Sequence, residues 1–131
     1  MKVMIVNGSS HLNGTTMQAI KEVEQVFAEE GVETEVIQLG NKAIRDCIQC
    51  GYCFDHKSCV FKDDDVNSFV EKAKEADGFI FASPVYYAHP SGRILSFLDR
   101  VFFCSQSMAE NPFAFKPGAS IAVARRGGTV A

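Results

Sequence analysis

The sequence predicts an α/β domain built on a doubly wound parallel sheet, and three observations carry that prediction. Strand-length apolar runs alternate with helical patterns in the order β-α-β-α-β-α-β, with an aperiodic stretch after the second strand. Residues 79–82 and 119–124 are almost wholly apolar, as strands covered on both faces are. The first run, residues 1–6, breaks into a turn rich in glycine and hydroxyls that leads straight into a helical pattern.

Each element has its own warrant. In residues 15–30, Ala19, Ile20, Val23, Val26 and Phe27 form an apolar face opposite Lys21, Glu22, Glu24 and Gln25, and Gly31 closes the helix. Residues 32–39 are β-prone with Glu33 and Glu35 on alternate positions, which suits an edge strand. A right-handed crossover sets this strand beside the first. Asp63, Asp64 and Asp65 open a second helix along Val66, Phe69, Val70 and Ala73, where they would cap it and favour its dipole. Residues 83–90 read as a loop with two prolines and two tyrosines. A third helix starts at Ser91 or Gly92, with Ile94, Leu95, Leu98, Val101 and Phe102 at helical spacing. A long connection, residues 105–118, precedes the last strand.

The 131 residues make one domain, 1–131, long enough to bury a core, with a cysteine-rich insertion at 46–60. A net charge of −3 leaves nothing to displace counterions from nucleic acid, so that class of partner is excluded. No apolar run approaches the roughly 18 residues that span a bilayer. The first residues lack a basic leader region and read as a strand, so a cytoplasmic protein is expected. Four of the five cysteines fall between Cys47 and Cys59, which in a reducing compartment points to metal or redox chemistry over disulfides.

A flavodoxin-like sheet in the order 2-1-3-4 binds ligands where the order reverses, at the carboxyl ends of strands one and three. Residues 8–16 and 83–90 lie at those ends, and residues 125–128 lie next along. A complete sheet of this kind needs a further helix, strand and helix after Gly128. The fifth strand is missing, so either the chain is C-terminally incomplete or a partner covers an exposed apolar edge.

The first of these loops is a candidate phosphate site. Gly8, Gly14, Thr15 and Thr16 have no lysine between them, and the run is not G-x-G-x-x-G, so both common nucleotide signatures are excluded. Ser9, Ser10, Asn13, Thr15 and Thr16 are neutral donors, which suit a bound, buried monoester better than a triphosphate with Mg²⁺. The alternative is a turn whose hydroxyls only cap the helix.

Together with Ser83-Pro84-Val85-Tyr86-Tyr87 and the stretch from Ser91-Gly92-Arg93 to Asp99-Arg100, this loop resembles the NAD(P)H-dependent FMN reductase family. It is most similar to the branch that includes the iron–sulfur flavoproteins. The resemblance implies bound FMN, NAD(P)H as co-substrate, and a homodimer or homotetramer with flavins near subunit interfaces. It further implies that Ser9, His11, Asn13, Thr15 and Thr16 hold the phosphate, and that Pro84, Val85, Tyr86 and Tyr87 meet the isoalloxazine. Arg126 (or Arg125), Gly127 and Gly128 would approach its pyrimidine edge. The tyrosines could instead pack on residues 105–118. His11 stands where the family usually has arginine, and Ser10 where it often has proline, which makes phosphate binding here a candidate for pH dependence. Asp99 and Arg100 read as structural or interfacial, and His89 as a bystander.

Cys47, Cys50, Cys53 and Cys59 follow the spacing C-x2-C-x2-C-x5-C. Successive C-x-x-C steps let one turn reach three irons of a cubane while a fourth thiolate arrives from further on, so a [4Fe–4S] site is expected. Zinc more often takes two separated pairs, and free thiols also remain open. The spacing resembles the compact motif of the iron–sulfur flavoproteins. Cys104 reads as a core residue.

Three functions follow. The first is an FMN-dependent oxidoreductase moving electrons from NAD(P)H to a flavin, quinone or other small acceptor, with no acid–base triad needed. The second is an iron–sulfur flavoprotein electron carrier fed by ferredoxin through the cluster. The third is a thiol or zinc redox sensor without flavin.

Overall fold

The structure, a computed structural model, describes residues 1–127. Strand β1 (Lys2–Asn7) lies at the centre, flanked in parallel by β2 (Glu33–Gln38) and β3 (Gly78–Tyr86). Strand β5 (Gly118–Val123) pairs in parallel with β3, so the parallel order is β2-β1-β3-β5. This is the expected order 2-1-3-4. Ile5 stands opposite both Val36 and Ile80, which fixes the register across the centre.

Helix α1 (Thr15–Glu29) covers one face, where Ile20 meets Val3, Ile5, Ile80 and Ala82. Helices α3 (Val66–Ala73) and α4 (Gly92–Ser105) contribute Phe69, Val70, Ile94, Phe97 and Val101 to the other, against Met4, Val6 and Phe79. Alternation along β1 sends Val3 and Ile5 one way and Met4 and Val6 the other, and all four are buried. Phe69 packs on Phe79, Phe97 and Phe113, so the long connection lends one ring to the core while Phe115 stays outside.

Several expectations are corrected. Residues 83–90 are not a loop: β3 runs on to Tyr86 and turns back into a two-residue strand, β4 (His89–Pro90). Both turn residues, Tyr87 and Ala88, have positive φ. They lack the Asn-Gly chemistry that usually marks such a hairpin, and two prolines disguise the strand. Val26 is exposed because the covered stripe of α1 runs through Ile20, Val23 and Phe27 instead. On α4, Leu95 and Phe102 are partly in solvent, whereas Phe97 and Arg100 are buried. Strand β5 is largely exposed and not covered on both faces; no strand pairs with its outer edge among the described residues. Asp65 does not cap α3 with its side chain; Asp64 accepts the Val66 N–H at 3.2 Å. Among the described residues no helix is long and apolar enough to cross a membrane.

Candidate flavin cleft and cysteine pocket

The turn after β1 is fixed by a polar network at the sheet's carboxyl edge. The Gly8 N–H donates to the Ala82 carbonyl at 2.7 Å, and Ser91 Oγ donates to the Gly8 carbonyl at 2.8 Å. The Ser91 N–H in turn donates to Ser83 Oγ at 2.9 Å. A Cβ on Gly8 would sit 2.8 Å from Ile94 Cβ and 3.1 Å from the Ala82 oxygen, so only glycine fits this crossing. Asn7, wholly buried, accepts the Ser9 N–H at 3.0 Å and donates to Gln38 Oε1 at 2.7 Å. Gln38 Nε2 donates to the Ser9 carbonyl at 2.6 Å. Sequence reasoning missed Asn7 and Gln38, although a polar residue ending an apolar run was the available clue.

This network leaves the N-terminus of α1 open. Gly14 holds the N-cap position in extended conformation, no side chain caps it, and no acidic residue occupies the first turn. Ser9 Oγ is engaged with the His11 N–H at 3.1 Å instead. The capping alternative therefore fails, and the positive end of the helix dipole is uncompensated.

A cleft of about 420 Å³ opens there. Ser9, His11, Thr15 and Thr16 line one side, Pro84, Val85 and Tyr86 the other, and Arg125 the end. Asn13 lies on the exposed outer turn, Tyr87 projects at 99 % exposure from the hairpin tip, and neither lines the cleft. Because β5 stops at Val123, Arg125 and not Arg126 reaches the cleft, with Arg126 and Gly127 exposed beyond it. Gly128 lies outside the described residues. The tyrosines do not pack on the long connection; phenylalanines do.

The cysteines form a second pocket on the α3/α4 side. Cys47, Cys50, Cys53 and Cys59 line it together with Phe61, Arg100 and Cys104. All five thiols are free. Helix α2 (Tyr52–His56) carries Cys53, which is buried, its carbonyl accepting from Ser107 Oγ at 2.7 Å. Asn67 of α3 clamps Cys59, accepting its N–H at 2.7 Å and donating to its carbonyl at 3.2 Å. Arg100 Nε donates to Cys59 Sγ at 3.2 Å. Cys47 and Cys50 ride a limb, residues 45–50, that is mostly exposed. Two of the four candidate cysteines, Cys53 and Cys59, are thus anchored by the fold, and Cys47 and Cys50 are carried on its surface.

Cys104 is a buried core residue, as expected, and it also faces this pocket. Burial first, and then the neighbouring thiols Cys53 and Cys59, push its pKa up to about 11. Burial likewise raises the Cys53 thiol. Arg100, nearly inaccessible, pairs both guanidinium arms with Asp64; burial opposes its charge, and the bonds to Asp64 and Cys59 outweigh that and raise its pKa.

The pocket suits an iron–sulfur cluster in the kind of donor it offers, soft thiols in an apolar wall. Its free space is about 20 Å³, roughly one water. Among the described residues no Cys, His, Asp or Glu side chains converge on a single-ion site.

A parallel sheet in this order, with an open helix N-terminus at its switch point, defines a flavodoxin-like α/β domain. The chain belongs to the NADPH-dependent FMN reductase family, whose model matches residues 1–131. It is 40% identical over 100 residues to an iron-sulfur flavoprotein of Methanocaldococcus jannaschii, covering 76% of this chain and 51% of the relative. An iron-sulfur flavoprotein of Methanosarcina thermophila is 33% identical over 98% of this chain and 66% of its own length. The chain therefore spans about half to two thirds of these relatives. In fold it is similar to an NAD(P)H:quinone oxidoreductase from Methanothermobacter marburgensis, with a TM-score of 0.71 at 15% identity over 97% of this chain and 68% of that one.

Proposed function

We propose that this chain is the FMN-binding part of an oxidoreductase that moves electrons from NAD(P)H to a flavin, quinone or other small acceptor. The observation that carries this is the uncapped N-terminus of α1 opening onto the cleft beside β3. When bound, FMN supplies hydride and single-electron transfer. The first-turn N–H groups, with Ser9, His11, Thr15 and Thr16, bind its phosphate dianion. Pro84, Val85 and Tyr86 orient the ring and shield it from water, and Arg125 approaches its pyrimidine edge and favours the charge that builds on reduction. A cytoplasmic location and a homodimer or homotetramer complete the reading, the oligomer supported by the exposed tyrosines of the hairpin.

One observation favours a second reading. Cys47, Cys50, Cys53 and Cys59 are four of the five thiols that line one pocket, and relatives at 31–40% identity carry the name iron-sulfur flavoprotein. In this reading Cys47, Cys50, Cys53 and Cys59 hold a [4Fe–4S] cluster, and a ferredoxin delivers electrons. Anaerobically prepared protein tests both. Flavin absorbance bleached by NAD(P)H supports the first; about four irons per chain, with bleaching only through ferredoxin, supports the second. A protein that takes up no FMN under any reconstitution condition would sink both.

A further inference from the structure

Arg100 belongs to neither the cleft nor the expected ligand set, yet it is the largest wholly buried side chain in the molecule. Its surroundings account for nearly every donor it has. Nη1 and Nη2 engage Asp64, Nη1 also reaches the Arg45 carbonyl at 3.3 Å, and the guanidinium lies 5.1 Å from the centre of the Phe61 ring. That leaves one N–H of Nη2 and Nε, and Nε is aimed at Cys59 Sγ at 3.2 Å. A buried ion pair of this kind is a poor source of stability, since desolvation offsets most of the attraction. What it provides is a rigid N–H whose direction is set by the fork on Asp64.

We infer that Arg100, oriented by Asp64, is a positioning residue for the iron–sulfur site: it holds the Cys59 sulfur in place and donates a hydrogen bond to it when a cluster is bound. This rests on the second reading above. Asn67 fixes the Cys59 backbone and Arg100 fixes its sulfur, so the two have separable effects. Hydrogen bonds and positive charge at a cluster sulfur stabilise the reduced, more negative cluster and raise its potential. Arg100 is the donor placed to do this here.

The test compares wild type with Arg100→Lys, with the neutral pair Asp64→Asn/Arg100→Gln, and with Asn67→Ala, all reconstituted anaerobically. Lysine keeps the charge without the planar fork, and the neutral pair avoids stranding a buried charge should the single variant fail to fold. Redox titration of the cluster, iron content, FMN content and melting temperature are measured. The expected result is a cluster potential shifted to more negative values in both Arg100 variants with FMN content unchanged. Asn67→Ala is expected to lose iron while the potential of its remaining clusters stays at the wild-type value. An unshifted potential in a fully loaded Arg100 variant overturns the inference alone. A wild-type chain that takes up no cluster overturns the parent reading and the inference with it.

Discussion

At the scale of single residues, Cys104 gives the protein an alkaline weakness. Burial raises its thiol from 9.0 to about 11, whereas the unfolded chain ionises it at the ordinary value. The stability it contributes is therefore whole below pH 9 and is lost as pH rises through about 11. Two pKa steps correspond to roughly 2–3 kcal/mol. In cluster-free protein, urea unfolding of wild type and Cys104→Ala from pH 8 to 11 should show a stability difference that shrinks by this amount. A difference constant across the range would contradict it. The residue illustrates what sequence conceals: its placement on α4 and its burial followed from helical spacing, but its neighbours Cys53 and Cys59 lie more than 40 positions away. The pairing of Asp64 with Arg100 was hidden for the same reason. Read locally, three aspartates before a helix are caps; only the fold shows that a buried cation claims one of them.

At the scale of elements, the hairpin at the end of β3 carries strain. Tyr87 and Ala88 adopt φ of 50° and 66°, where a side chain is disfavoured and glycine is at ease. Relieving Ala88 removes about 1–2 kcal/mol of conformational strain, and the extra freedom of glycine in the unfolded chain returns about 0.4–1 kcal/mol. Ala88→Gly should stabilise the protein by about 0.5–1 kcal/mol and raise the melting temperature by roughly 1–4 °C. A calorimetric scan showing a lower midpoint would mean that the turn is held by contacts that need the methyl group. The central elements were legible because periodicity reports burial directly: β1, α1, β2, α3, α4 and the core of β3 lie within two or three residues of expectation. The hairpin was not, because its prolines and its unusual turn residues speak against a strand that pairing with Pro90 and Val123 nevertheless sustains. Strand β5 misled in the opposite sense, its apolar composition implying cover that the described residues do not supply.

At the scale of the whole molecule, α4 is the member common to both candidate sites. Its N-terminus ties the turn after β1 to β3 through Ser91, and its last turns carry Arg100 and Cys104 into the cysteine pocket. At 1.5 Å per residue these points lie about 14–20 Å apart along the helix. The cleft and the pocket share no lining residue. The candidate flavin cleft is assembled from the turn after β1, α1, β3 and the end of β5, while the thiols depend on residues 45–60 packed over α3 and α4. Emptying one should therefore leave the other able to fill. In the double variant Cys47→Ser/Cys50→Ser, both changes fall on the exposed limb, where neither serine disturbs the core. Iron should fall to background, and FMN affinity by fluorescence titration should stay within about threefold of wild type, a difference below ~0.7 kcal/mol. A tenfold loss of FMN affinity would show that the cysteine limb braces the flavin cleft through α4, and the two sites would then have to be treated as one cooperative unit.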